Sequence, residues 1–381
     1  MSASDVSSRA RPELSSLEAR EVPATLAVFN TSVLTVQGDD HANVITVTAD
    51  ANGNLTVTDN GKPVFIRASA GTPTKTALTT VNVDGGGGDD TITLDKSLNV
   101  LDANGKLLAA PGGTLNGGAG NDTIRALTGG FLGGVVGNPV VGNLVMEGGS
   151  GNDFLDSGFG NDIMLGGAGN DTLRWLPGTL NDTFDGGGGT DTAVVVGNDN
   201  NQGDAFVLSA NGAGRALFQR TNLVPFSIDI TTIENVVMQT QSGDDTITIN
   251  DLTGTGIHTV TADGGAGNDV IDGSATGVNL LLIGGAGDDT LIGGRGNDVL
   301  DGGDGNDTLT GGKGLDVLNG GAGNDTLDDG VKDGKQDILI GGSGADTFVR
   351  RQLSSSPMFP QFDEIVTDFN AADGDTVRIV A

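Results

Sequence analysis

The residues from Gly284 to Asp328 repeat every nine positions, as GGAGDDTLI, GGRGNDVLD, GGDGNDTLT, GGKGLDVLN and GGAGNDTLD. A nine-residue period fits neither a regular helix nor a hairpin, so copies in strict register describe one structural unit stacked along an axis. Within each unit the first six residues favour a turn and the last three can extend. Glycine at the first, second and fourth places permits positive φ angles and close backbone approach. The eighth place is always leucine, at Leu291, Leu300, Leu309, Leu318 and Leu327. Three extended residues send an apolar middle one to a single face, so two units would form one flattened coil with a leucine from each side.

The sixth place is always aspartate, at Asp289, Asp298, Asp307, Asp316 and Asp325. Coils in a parallel stack lie about 4.8 Å apart, which brings the aspartate of one unit close to the aspartate two units later. Two carboxylates at that separation repel by about 3.5 kcal/mol at an effective dielectric of about 20. A cation between the turns removes this penalty. Calcium bonds oxygen at about 2.4 Å, half the coil spacing, and accepts the backbone carbonyls that a glycine-rich turn exposes.

A flexible linker or a solvated acidic surface shares this composition, but neither requires a nine-residue register with leucine locked to its eighth place. The units fit G-G-x-G-x-D-x-U-x and so resemble the repeats-in-toxin (RTX) calcium-binding nonapeptide family. The resemblance implies an all-β chain built of right-handed parallel β-roll arrays. It also implies several Ca2+ ions held by the sixth-place aspartates and turn carbonyls, in an exported or cell-surface bacterial protein.

Further copies place Asp90, Asp122, Asp153, Asp162, Asp171, Asp182 and Asp191 in an earlier array, and Asp245, Asp269, Asp337 and Asp346 around the central run. Degenerate copies put Gly113, Leu144, Val260 and Leu280 where aspartate belongs. Taken in order, the copies alternate between two edges. In the second array one edge carries Asp245, Asp269, Asp289, Asp307, Asp325 and Asp346, and the other Val260, Leu280, Asp298, Asp316 and Asp337. In the first array one edge carries Asp90, Asp122, Asp153, Asp171 and Asp191, and the other Gly113, Leu144, Asp162 and Asp182. Each array is therefore expected to have a complete metal ladder and an incomplete edge that bears the insertions.

Residues 26–84 and 195–239 lack the nonapeptide. They alternate apolar and polar in VLTVQ, VITVTAD, NLTVTDNG, AFVLS, RALFQR and FSIDITTIENVV, with a hairpin turn expected at DANGN from Asp50. The expected organisation is an N-terminal tail (1–25), a strand-rich segment (26–84), a first roll (85–194), a second strand-rich segment (195–239), a second roll (240–349) and a C-terminal cap (350–381). Part of the tail, RPELSSLEAREVPAT, resembles an LEPR-type segment of bacterial surface proteins. In the cap, Phe362, Ile365, Phe369 and Val377 are candidates to plug the open end of the core.

A formal charge of −31 argues against a nucleic-acid partner. The absence of cysteine leaves calcium as the expected stabiliser of an exported chain. With 4% aromatic residues and 66 glycines the chain suits a slim solenoid rather than a thick core. No stretch is apolar enough to span a membrane as a helix, and the N-terminus lacks the apolar run of a secretory signal. Neither HExxH nor GxSxG occurs. His41 reads as a turn residue, His258 as a solvated strand residue and Trp175 as a packing residue. The expected function is calcium binding with a structural or adhesive role and calcium-induced folding. The alternative is a secreted enzyme or accessory module with a site on the strand-rich segments.

Overall fold

A computed structural model describes residues 25–101, 107–128, 140–158, 160–177, 180–199, 201–223, 225–331, 333–351 and 364–380. The N-terminal tail up to residue 24, and Phe362 with it, lies outside the described residues. Among the described residues there is no α-helix. Two long sheets of 18 and 15 strands face one another, with a small three-stranded sheet beside the first array. The chain crosses from one long sheet to the other at every nonapeptide turn, so each nine-residue unit supplies one short strand. In the second array Thr290–Ile292, Thr308–Gly312, Thr326–Gly330 and Thr347–Arg351 pair in parallel in one sheet. Asn279–Ala286, Val299–Asp304, Val317–Ala322 and Asp337–Ser343 do so in the other.

Strand parity sets the core. Sixth and eighth places differ by two, so both point inward, and the eighth-place leucines from Leu291 to Leu327 are fully buried. Each such leucine contributes roughly 2 kcal/mol of hydrophobic stabilisation. Where aspartate is replaced, Leu144, Val260 and Leu280 extend this apolar interior. The turns need glycine at particular points. Gly285 has φ +112° and Gly287 +133°, and a Cβ on Gly287 would lie 1.9 Å from the carbonyl oxygen of Gly267 in the preceding coil. That spacing leaves no room for a side chain.

The strand-rich segments continue the same two sheets. At the N-terminal end Val44–Ala49 and Leu55–Asp59 form the hairpin around Asp50, and Val44–Ala49 pairs in parallel with Thr91–Asp95 of the first array. Between the arrays, Ala205–Ala210, Arg215–Arg220 and Phe226–Thr231 form an antiparallel meander inserted in the 18-stranded sheet. Phe226–Thr231 folds back onto Asp182–Gly188 of the first array, and Ala205–Ala210 pairs with Thr246–Ile249 of the second. This joint holds an aromatic cluster: Trp175 stacks on Phe226 at 3.8 Å, Phe218 lies 5.8 Å from Phe226, and Phe206 packs edge-on to Phe218. Trp175 is buried in the core, and no face of it is free for a ligand.

The C-terminal end differs from expectation. Ile365, Phe369 and Val377 are each more than 40% exposed and do not plug the core. Ile365 pairs with Ile338, a seventh-place residue, so parity turns it outward. Its neighbours Glu364 and Val366 face inward instead. Val377 pairs with buried Phe348, but it sits on the last strand of its sheet, with no further described coil over it. Phe369 leans towards Phe348 with ring centroids 6.3 Å apart.

Candidate metal ladders

Every sixth-place aspartate named above is buried. Within a ladder the backbone N–H of one aspartate donates to Oδ1 of the next. The first array runs Asp90 to Asp122, Asp153, Asp171 and Asp191 in this way, at 2.6–2.8 Å. The second runs Asp245 to Asp269, Asp289, Asp307, Asp325 and Asp346 at 2.7–2.9 Å. On the shorter edges Asp162 donates to Asp182, and Asp298 donates to Asp316, which donates to Asp337. The two complete ladders lie on opposite rims: that of the first array leads into the 15-stranded sheet, that of the second into the 18-stranded sheet.

Oδ1 is thus committed to the coil contact and Oδ2 is left over. In Asp90, Asp122, Asp153, Asp171, Asp191, Asp269, Asp289, Asp307, Asp316, Asp325 and Asp346 this oxygen is buried with no hydrogen-bond partner. A buried, unpaired carboxylate oxygen is costly unless a cation meets it. Burial pushes the carboxyl of Asp289 up to about 6 and that of Asp316 to about 7, with neighbouring carboxylates adding to the effect. Asp153 rises to about 7 for the same reason. Each carboxylate is therefore held where only a proton or a cation relieves it.

The space beside Oδ2 exists because the first place is glycine. A Cβ on Gly284 would lie 2.3 Å from Oδ2 of Asp289 and 2.6 Å from the carbonyl oxygen of Gly302 in the next coil. At Gly302 the corresponding distances are 2.3 Å to Asp307 and 2.5 Å to the Gly320 carbonyl, and at Gly166 they are 2.4 Å to Asp171 and 2.5 Å to the Gly186 carbonyl. Each turn thus brings a carboxylate oxygen and a carbonyl oxygen of the next coil together with no side chain between them, and calcium takes oxygen ligands of both kinds. Among the described residues no three carboxylate or imidazole side chains come together, so carbonyl oxygens form much of each cage. A hard-oxygen cage rich in carbonyls and free of nitrogen and sulfur fits calcium better than zinc or a transition metal. The residues that would hold each ion are a sixth-place aspartate, its first-place glycine turn and the turn of the next coil.

The short edges are built differently at their heads. Cδ1 of Leu280 stands 2.2 Å from the point where Gly273 would carry a Cβ, so leucine itself fills that cage. One coil on, Gly294 N–H donates to Oδ2 of Asp298 at 2.6 Å, and in the first array Gly158 N–H donates to Oδ2 of Asp162 at 3.1 Å. A donor pointed at the carboxylate competes with a cation. Asp162 and Asp298 are thereby set apart from the open cages, although burial raises both carboxyls. At Asp182 the first place is Pro177 rather than glycine.

Several ladder members escape a search for glycine-rich copies. Asn43 N–H donates to Asp90, and a Cβ on Gly38 would meet Oδ1 of Asn43 and the Gly85 carbonyl; GDDHANVIT is thus a degenerate copy. Asp191 N–H donates to Glu234, Asp204 N–H to Asp245, and Asp346 N–H to Asp375, the sixth residue of NAADGDTVR. The fifth place is a second ladder, on the surface. Asp288 N–H donates to Oδ1 of Asn268, Asn306 N–H to Asp288, and Asn324 N–H to Asn306. The preference for Asn or Asp at that place was a visible signal of it.

His41 is exposed in a turn beside Asp39, and His258 precedes the strand Thr259–Ala266. A shallow groove on the outer face of the first array is lined by Gln37, Asp84, Asn116 and Glu147. There the amides of Gln37 and Asn116 both donate to Asp84, which engages it as an acceptor. Among the described residues no helix is long and apolar enough to cross a membrane.

A family model of the RTX calcium-binding nonapeptide repeat matches residues 82–104, 113–129, 145–173, 261–275, 281–309, 301–330 and 334–349. These matches fall in both arrays, and none covers residues 174–260, which include the joint. No curated protein matches the chain. The repeat matches, the parallel two-sheet roll and the glycine cages agree, and both arrays carry RTX calcium-binding nonapeptide repeats.

Proposed function

We propose that the chain is an exported or cell-surface scaffold whose two arrays fold when they bind calcium, and that its role is structural or adhesive rather than catalytic. The observation that carries this reading is the row of buried Oδ2 atoms without hydrogen-bond partners, each facing a glycine cage. Without metal these carboxylates oppose the stacking that buries the leucines. With metal, binding free energy becomes folding free energy. At ten times a site's dissociation constant each ion adds about 1.4 kcal/mol, so several ions together reach the stability of an ordinary domain. A chain of this kind would stay unfolded where calcium is scarce and fold after export where it is abundant. Far-UV circular dichroism in chelator and in millimolar calcium tests the reading. The arrays are expected to gain β-structure cooperatively with calcium, and identical spectra in the two conditions would refute calcium-induced folding.

A further inference from the structure

The second ladder has a head that is not a metal cage. Asp204 stands one coil before Asp245, and as at the open sites a Cβ on Gly197 would lie 2.5 Å from its Oδ2 and 2.8 Å from the carbonyl oxygen of Thr240, but this Oδ2 already accepts an N–H. Here, however, a guanidinium is present. Nη2 of Arg220 lies 2.6 Å from Oδ1 of Asp204, and both side chains are at least nine-tenths buried. The Asn198 N–H donates to Oδ2 of Asp204 at 2.9 Å, and the Asn198 side-chain oxygen, turned to face the guanidinium, accepts from Nη1 of Arg220 at 3.0 Å. One coil on, the first place of the Asp245 copy is Thr240 instead of glycine, and its hydroxyl donates to the Gly264 carbonyl at 2.8 Å. Two successive positions are therefore filled by side chains of the protein.

Arg220 ends the strand Arg215–Arg220, the central strand of the antiparallel meander that links the arrays. That meander carries Phe206, Phe218 and Phe226, and Trp175 packs onto it. The joint thus has an aromatic core, hairpin connections and an internal positive charge, whereas the arrays have single leucines and unpaired carboxylates. We propose that Arg220 is the resident cation at the head of this ladder, held on Oδ1 of Asp204 where the later members receive the N–H of the coil before, so that the joint folds without calcium and serves as the template on which both arrays stack when calcium arrives. The idea rests on the calcium-folding reading for the arrays and adds a metal-free nucleus between them. A guanidinium at the carboxylate excludes a divalent ion by charge and by volume, and its planar donor fork suits a buried carboxylate better than an ammonium does. The sheet edges of Phe226–Thr231 and Ala205–Ala210 then offer ready templates, one to each array.

Hydrogen exchange on the full chain, with calcium stoichiometry measured alongside, tests this. In chelator, peptides within residues 205–231 are expected to exchange at least about tenfold more slowly than peptides within residues 269–346, as a stable local unit does. Arg220→Gln is expected to abolish that difference in chelator, to regain protection in calcium, and to bind one more calcium ion than the parent chain. Arg220→Lys, which keeps the charge, is expected to retain the parent's ion count. A joint that exchanges as fast as the arrays in chelator would overturn the metal-free nucleus, and an unchanged ion count in Arg220→Gln would overturn the resident-cation role. Were the arrays themselves equally protected with and without calcium, the calcium-folding reading would fall, and loss of joint protection in Arg220→Gln would still decide the role of Arg220.

Discussion

The backbone N–H of Asp289 donates to Oδ1 of Asp307 at 2.8 Å, which leaves Oδ2 of Asp307 beside the glycine cage at Gly302. One carboxylate therefore serves two coils, with one oxygen closing the contact to the coil before and the other facing its own cage. Asp307 sits mid-ladder, whereas Asp337 ends the repeat copies of a short edge. Asp307→Ala is expected to lose the calcium ion of its own cage, and to cost about 1–3 kcal/mol for the stranded Asp289 N–H. Asp337→Ala, in a copy that begins with Lys332 in place of the cage glycine, should lose none. Calorimetric titration of both variants measures this, and equal losses would show that the two edges do not differ.

Glycine at the first place matters for space rather than for backbone freedom. Gly302→Ala puts a methyl group within 2.3 Å of Oδ2 of Asp307 and 2.5 Å of the Gly320 carbonyl. It is expected to remove one calcium ion and lower the calcium-loaded melting temperature. Gly277→Ala, where a Cβ meets nothing within 4 Å, is the matched control and should retain the full ion count. Differential scanning calorimetry with ion counting distinguishes the two.

Leu280 fills a cage that aspartate occupies one coil later. Leu280→Asp should open the cage at Gly273 and extend the short edge by one member, so the variant is expected to bind one more calcium ion than the parent. In chelator it should be less stable by roughly 2–5 kcal/mol in any fold that remains, because a core leucine has been lost. Equilibrium dialysis at saturating calcium gives the count, and an unchanged count would mean that leucine is not what keeps the cage closed.

Acid should partly replace the metal. The carboxyls of Asp269, Asp289 and Asp325 rise to about 6, and those of Asp153 and Asp316 to about 7, chiefly through burial, against an ordinary value of 3.8. A carboxyl raised in the folded state binds its proton more tightly there than in the unfolded chain. Its contribution to stability is full below pH about 4 and is lost as pH rises through about 6 to 7. In chelator, β-structure followed by circular dichroism is expected to increase as pH falls from 8 to 5. Calcium binding at pH 6 should release protons, measurable as a buffer-dependent binding enthalpy.

The register was legible because three constraints coincide in nine residues: glycine where coils touch, aspartate where the turn faces inward, leucine two places further on. Asp289 and Leu291 share a face for the same reason that Leu280 and Leu282 do, so even the replaced positions of the short edge could be placed. Asp204 was not legible, because it follows Gly197 by seven positions rather than five, and the insertion hides the frame. Glu234 lies in a copy with no glycine at all. Arg220 belongs to a strand whose partner carboxylate is distant in sequence, and only the antiparallel meander brings them together. The cap residues Ile365 and Val377 were misplaced because apolarity alone does not reveal parity, or whether another coil follows.

The exchange of complete ladders between rims has a consequence for how the rod meets its surroundings. Excursions from the roll leave from the rim that lacks the full ladder. Residues 96–101 and 107–111 do so between a strand of the 15-stranded sheet and the next of the 18-stranded sheet, and residues 250–258 do so in the reverse direction. Loops therefore rise from one flank in the first half and from the opposite flank in the second. A flat neighbour lying along the molecule meets loops from only one half, and two neighbours on opposite flanks can each be engaged by a different half of the same chain.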